Sequence, residues 1–324
     1  MNPVMQFLED PRLNIKLAAE AITREQLIRE LANSQDTVTL SDGRMLSHCS
    51  LTVCSSELTV FLGFKNLQLL SDLTDWYDCK RHWTYRTKNS GTDEVKGVWV
   101  NLLGATTPSL IRSSLPMDAV GGGLASRIVF VYAHRKQKTV VDPFMTKEEK
   151  SIRERLLNDL ERIILLSGNF RMTPEFTSAW AEWYTVNDAQ HPFNDAILSA
   201  YCERRQTLVI KLSMIVNVSR SDEMILSLED FGRAVALLEE VEKDMPLALS
   251  GMGRGEHADV LSRLMEEIMY SKSCAMEDIM WKFRSDITMR ELELHLVSLE
   301  AMGFCTYVVN TGKIVFNEGF DHRH

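Results

Sequence analysis

Three stretches of this chain carry residue types that phosphoryl chemistry needs. In Leu51-Thr-Val-Cys-Ser-Ser-Glu57 an apolar run ends on a carboxylate, from which Glu57 can hold magnesium or orient an attacking water. In Asn101-Leu-Leu-Gly-Ala-Thr-Thr107-Pro108 a second apolar run ends on hydroxyls, at the kind of sheet edge where open α/β folds collect ligands. In Gly121-Gly-Gly-Leu-Ala-Ser-Arg127 a cation follows a glycine loop and can reach a phosphate, including one on a neighbouring subunit. Each has a plainer reading: a strand entering solvent, a Thr-Pro turn, a solvated arginine. A fourth stretch interleaves Lys80, Arg81, Arg86 and Lys88 with Trp83 and Tyr85. Aromatic faces that stack bases, beside cations that hold phosphates, are what sequence-tolerant single-strand binding requires; rings packed on the core are the alternative. His48, Cys49, Cys54, Cys79 and His82 fit no standard zinc spacing, so no metal site is expected. No Gly-x-Ser-x-Gly elbow supports a serine hydrolase.

Elements must deliver these residues. Apolar periodicity and a Thr23-x-x-Gln26 capping box mark the first 33 residues as helical. Residues 51–62 alternate as a strand, interrupted at Ser55-Ser-Glu57, and 66–77 carry Leu67, Leu70, Leu73 and Tyr77 at helical spacing. Residues 79–97 read as a polar, aromatic loop, and 98–104 and 126–132 as buried strands. Then the pattern changes: 147–166, 174–190, 195–218 and 228–247 all carry helical apolar stripes. Three glycines within 250–255 mark a linker. Beyond it come helices over 257–271 and 276–283, and a third opened by the capping box Thr288-Met-Arg-Glu291 and stopped at Gly303. Two short strands around Asn310-Thr-Gly312 close the chain. Three helices followed by a hairpin is the winged-helix pattern. The expected division is an α/β body over 1–140, a helical portion over 141–249, the linker 250–255 and a winged helix over 256–324.

Composition bounds the classes. At 324 residues, 45% hydrophobic and 25% charged, the chain suits about two globular domains and is too apolar for disorder. No apolar run approaches the ~20 residues of a membrane span, and the N-terminus lacks a signal-peptide pattern, so a cytoplasmic protein with no membrane partner is expected. Six scattered cysteines without a C-x-x-C imply reduced thiols. A net charge of −9 argues against a generally basic nucleic-acid coat and leaves room for a local basic site.

Taken in order, five blocks resemble one family. Glu57-Leu-Thr-Val-Phe-Leu, Leu73-Thr-Asp-Trp-Tyr-Asp78, Trp83-Thr-Tyr-Arg-Thr87, Asn101-Leu-Leu-Gly-Ala-Thr-Thr-Pro108 and Gly122-Gly-Leu-Ala-Ser-Arg-Ile-Val-Phe130 resemble the helicase-like domain in the C-terminal half of phage and plasmid primase–helicases. More distantly, Leu124-Ala-Ser-Arg127 before an apolar run is similar to the arginine-finger box of minichromosome maintenance helicases, within the AAA+ class. Tyr201-Cys-Glu-Arg-Arg205 through Lys211-Leu-Ser-Met214 looks like the family's lid, so the resemblance covers nearly the whole chain. It implies a P-loop NTPase-like α/β fold with a helical lid and a C-terminal winged helix, and the activity of a DNA-replication helicase and ATPase. It further implies ATP and Mg2+ as cofactors, single-stranded DNA as partner and a hexamer-like homo-oligomeric ring. Glu57 then stands in the Walker B position and Thr107 in the sensor position. Arg127 is the finger offered to a neighbour, and Arg204 or Arg205 a second sensor from the lid.

Two departures qualify the match. The strand before Glu57 ends Cys-Ser-Ser-Glu rather than in an Asp-Glu pair, so Glu57 carries both roles or one. No G-x-x-x-x-G-K-[ST] occurs in the chain. In the family that loop immediately precedes a segment like Asn2-Pro-Val-Met-Gln-Phe-Leu, so the chain is expected to start just after it and, alone, to bind ATP poorly and be inactive. From Glu256 on, twelve acidic residues outweigh seven basic ones, and 288–302 carry three Glu against one Arg. DNA readers are normally basic there, so docking to a replication protein is as good a reading as DNA contact. The competing class is a non-catalytic winged-helix adaptor for DNA or protein on a degenerate ATPase body.

Overall fold

A computed structural model describes residues 2–40, 42–63, 66–87, 91–115, 123–134, 144–195, 197–249 and 256–320. Lys88, Gly121, Gly122 and the linker 250–255 therefore lie outside the described residues. The chain is mixed α/β and divides into two compact units, Met1–Ile128 with Val140–Glu239, and Val129–Thr139 with Glu240–His324. The sequence places the division at the glycine linker; in the structure the second unit begins at Glu240 and takes in the strip that follows Ile128.

In the first unit α1 (Asn2–Leu8) and α2 (Arg24–Asn33) are separate helices. The expectation of helix throughout the first 33 residues fails because Pro11 has no N–H to donate and Asn14 takes a left-handed backbone, φ 47°. Between them the chain runs extended long enough for Leu17 to bridge Thr52 in parallel register. The Thr23 hydroxyl accepts the Gln26 N–H to open α2, which buries Leu27, Ile28 and Leu31.

Strands β1 (Gln35–Thr39) and β2 (Met45–Ser55) form an antiparallel hairpin. The far half of β2 pairs in parallel with β5 (Val98–Gly104), from Cys49↔Val98 to Ser55↔Gly104. Strand order is β1-β2-β5, so β5 is an edge among the described residues, with Trp99 and Leu103 of its outer face exposed. Immediately after β2 comes α3 (Leu58–Leu62), where the sequence pattern suggested more strand. Helix α4 (Leu67–Tyr77) forms as expected, capped by the Asn66 side chain. The expected loop after it is a hairpin of β3 (His82–Thr87) and β4 (Gly91–Lys96), whose period-two pattern is hidden by polar outward residues. After β5 and α5 (Pro108–Ser114), the expected strand over 126–132 is absent: Leu124–Arg127 is a 3-10 turn, and the apolar residues behind it find no partner strand among the described residues.

The helical portion follows the apolar stripes. It comprises α6 (Lys147–Ile164), α7 (Pro174–Ala189), α8 (Ser199–Cys202), α9 (Arg205–Val218) and α10 (Leu228–Glu242), with a small parallel pair β6 (Arg171–Met172) and β7 (Ile225–Leu226). The stripe over 195–218 is broken at Arg204, which caps α9, and the last stripe is broken before Pro246, which opens α11 (Met245–Ala248).

In the second unit α12 (Glu256–Ser271), β8 (Ser273–Ala275), α13 (Met276–Phe283), α14 (Met289–Ala301), β9 (Cys305–Val308) and β10 (Lys313–Phe316) follow one another, with an antiparallel sheet in the order β8-β10-β9. Both halves of the Thr288/Glu291 capping box are made. Gly303 (φ 75°) ends α14 and Gly312 (φ 63°) turns the hairpin, the left-handed positions the sequence reserved for glycine. Leu264, Ile268, Leu292, Leu299, Phe304 and Ile314 are fully buried at its centre.

Candidate functional site

Two groupings of the sequence-predicted residues emerge, and both lie in the first unit. The first is built by the parallel pair. The ladder continues past the ends of β2 and β5: the Ala105 N–H donates to the Ser55 carbonyl (2.9 Å), and the Leu58 N–H donates to the Ala105 carbonyl (2.8 Å). Those bonds fix Glu57 beside the Ala105–Thr107 segment. Glu57 is exposed at the start of α3, with its side chain free of any capping bond. Gly104 permits this closeness, because a Cβ there would stand 2.7 Å from Leu58 Cδ1 and 3.0 Å from Leu58 Cβ. The Thr107 hydroxyl caps α5 by accepting the Leu110 N–H and stands 3.0 Å from the Ser109 hydroxyl. Beside it the Thr106 hydroxyl is buried without a partner, a residue that sequence reasoning passed over although the Thr-Thr pair names it.

The second grouping is cationic. Arg127 ends the 3-10 turn with a side chain only 6% exposed; its Nη2 is 3.1 Å from Asp78 Oδ2, and its Nη1 donates to the Gly123 carbonyl. Its guanidinium lies over the Tyr77 ring, and its Nε is buried without a partner. Arg204 approaches the other oxygen of the same carboxylate, Nη1 to Asp78 Oδ1 3.7 Å. Lys211 completes the group: its ammonium is 3.5 Å from the Tyr77 ring centroid and donates to the Tyr77 carbonyl. Burial pushes the Lys211 ammonium below its usual pKa, and burial raises the Tyr77 phenol, which therefore stays neutral. Lys211 was legible in one respect, since it stands seven residues beyond Arg204, about two helical turns on. Arg205 goes elsewhere: it is buried, donating to Asn187 Oδ1 (2.6 Å), near Glu239 and over the Trp183 ring.

The hairpin β3–β4 sorts its residues by face. Trp83 meets the buried Trp76 edge-on (5.5 Å between centroids) and stacks with Tyr85. Arg24 of α2 covers the Tyr85 ring at 4.9 Å and donates to its hydroxyl. Both aromatic rings are half-buried against the body, whereas Arg81 and Arg86 are exposed and Lys80, also exposed, pairs with Asp75. Of the cysteines and histidines weighed for zinc, Cys49 and Cys54 are buried in β2, and Cys79 and His82 are exposed beyond α4. Among the described residues no three His, Cys, Asp or Glu side chains converge as metal ligands, and no helix is long and apolar enough to cross a membrane. The residues fit ATP only in part. Glu57 and the threonines suit a magnesium-and-water end, but the Gly-Lys-Ser/Thr cradle for the β- and γ-phosphates does not occur in this chain. No protein-family model matches the chain and no curated protein matches it, so the helicase likeness rests on the residues quoted above.

Proposed function

We propose that this chain is the body of a DNA-replication helicase ATPase of the phage and plasmid primase–helicase kind, P-loop NTPase-like in fold, with a helical lid over 141–249 and a C-terminal winged helix over 256–324. The observation that carries the reading is the parallel pair β2–β5, whose backbone ladder sets Glu57 beside the Ala105–Thr107 segment beyond its C-terminal ends. Open α/β sheets bind ligands in that place, and phosphoryl transfer needs a positioned water and charge stabilisation there more than covalent chemistry. Arg127 and Arg204 are the cations of the reading; the burial of Arg205 in the helical portion favours Arg204 as the lid's sensor. The edge of β5, unpaired among the described residues, can take one more parallel strand. A phosphate-binding loop brought by such a strand would complete the ATP site.

The test is single-strand-stimulated ATP hydrolysis by the protein expressed with the coding sequence that surrounds it in its genome. Hydrolysis is expected there, reduced about a hundredfold or more by Glu57→Gln. The chain by itself is expected to hydrolyse no ATP appreciably; robust turnover by the chain alone, abolished by Glu57→Gln, would overturn the dependence on a loop from outside it. A second reading, a non-catalytic adaptor, is favoured by α14, whose outward Leu294 and Val297 are 62% and 65% exposed beside Glu293 and Glu300. No hydrolysis in the native context would leave that reading in possession.

A further inference from the structure

Helix α14 is apolar on two opposite faces. Leu292, Leu296 and Leu299 turn into the core of the second unit and are buried, the first and last of them completely. Leu294, Val297 and Ala301, spaced three and four residues apart, form a second row on the far side. Leu294 and Val297 are each more than three-fifths exposed, and Ala301 is exposed with them. A surface helix ordinarily turns one apolar stripe to the core and polar residues to water, and a helix that is apolar on both sides is one that becomes covered on both.

Charge selects what covers the outer row. Glu293 and Glu300, two turns apart and both exposed, line one flank of it. Glu300 is held in place there, its carboxylate accepting the Tyr307 N–H at 3.2 Å. Arg290, one turn before Leu294, is the one base of the helix. A nucleic-acid backbone is repelled by that flank. Two copies of α14 packed antiparallel on this face would set carboxylates against carboxylates, so a second copy is disfavoured as well. Lysine or arginine beside an apolar stripe is the complement, and an apolar helix face laid on another is a recurrent way of building such a contact.

We propose that the outer face of α14 is a docking surface for an amphipathic helix of a partner protein. The apolar stripe of that helix covers Leu294, Val297 and Ala301, and its lysine or arginine side chains face Glu293 and Glu300. The proposal rests on the surface that favours the adaptor reading and gives that reading the chemistry of its partner. The ATPase reading requires no such partner, so the two are tested by different measurements.

The experiment is fluorescence anisotropy of the whole chain with a labelled peptide of leucine and lysine, about 18 residues long, enough to be helical once docked. Its leucines stand at helical spacing; a control peptide has the same composition in scrambled order. Binding of the first peptide and not of the second is expected. Leu294→Ser with Val297→Ser is expected to weaken binding about tenfold or more. Glu293→Gln with Glu300→Gln is expected to weaken it about fivefold and to flatten its salt dependence. Glu175→Gln with Glu182→Gln removes the same charge from exposed positions of α7 and is expected to change nothing. Equal binding of the scrambled peptide, equal weakening by the α7 pair, or indifference to the Leu294 and Val297 changes would each overturn the proposal. So would displacement of the peptide by a DNA duplex, or dimerisation of the chain that the serine variant abolishes, since either gives the face a different occupant. If the serine variant fails to fold, the glutamine pair on α14 decides the matter. Absence of peptide binding overturns the proposal whatever the hydrolysis result; binding without hydrolysis in the native context removes the ATPase reading and leaves the docking surface.

Discussion

Arg204 and Arg205 adjoin in the chain and diverge in the fold, one toward Asp78 and the other into the helical portion beside Asn187. Consecutive positions at the start of a helix are about 100° apart, so a single step decides between a solvent-facing corner and a buried network. Asp230 is placed just as closely. It is buried at the start of α10, where it accepts from the Ser227 backbone N–H and hydroxyl and the Asn217 amide and pairs with Arg220. Burial raises its pKa, but the hydrogen bonds from Ser227 and Asn217 and the Arg220 charge outweigh it, so the carboxyl lies below its usual range. A depressed folded-state pKa contributes stability that is complete above the unfolded value near 4 and drains away as pH falls toward the folded value. Asp230→Ala is therefore expected to cost about 3 kcal/mol at neutral pH in denaturant unfolding, with the gap from wild type narrowing below about pH 4. A gap that stays constant down to acid would mean the ionised form is not what stabilises.

Among the elements, the β3–β4 hairpin separates two readings of one sequence stretch. Period-two alternation turns Trp83 and Tyr85 toward Trp76 and Arg24, and His82, Thr84 and Arg86 outward. The rings thus follow the plainer reading, packing on the body, while the exposed cations keep the single-strand reading open. Trp83→Ala is expected to destabilise by about 2 kcal/mol, since it removes a half-buried indole and its edge-on packing against Trp76. Replacing Lys80, Arg81 and Arg86 with Gln is expected to change stability by no more than about 1 kcal/mol. If the hairpin tracks a single strand, the triple variant also lowers the slope of log affinity against log salt by about 0.7 for each phosphate that these side chains neutralise. An unchanged slope in a variant that still folds would place the strand elsewhere. The hairpin was hard to read because its outer face is polar and few apolar residues, Trp83, Tyr85 and the buried Val95, mark its inner face.

At the scale of the molecule, the thirteen buried hydrophobic residues that centre the second unit all lie between Val260 and Phe316. That core, the complete capping box of α14 and the three-stranded sheet are all contained in residues 256–324. The fragment 256–324 is expected to unfold cooperatively by itself, with a stability of about 3–5 kcal/mol, as small single-core domains do. Thermal melts by near-ultraviolet circular dichroism check this. A fragment with no transition that gains one when extended back to Glu240 would show that the unit needs the residues before the linker.

Local chemistry was legible wherever one element satisfies itself. The capping box at Thr288, the glycines at 303 and 312 and the helical stripes after Lys147 need only neighbours in the chain, and they read correctly. Val98–Gly104 reads as a buried strand; the strand forms, but with β2 as its one partner among the described residues it lies at the sheet edge, and only Val98 of it is buried. The run 128–132 has the same composition and forms no strand, for pairing depends on a partner that composition does not name. Glu57 and Thr107 were singled out as separate signals; their adjacency came from the register of β2 on β5, a pairing about fifty residues apart in the chain. The gathering of Arg127 and Arg204 on Asp78, with Lys211 on the neighbouring Tyr77, is the clearest case. No spacing in the sequence links Asp78 to any of them, because only packing of α9 and the 3-10 turn against the end of α4 brings the charges into range.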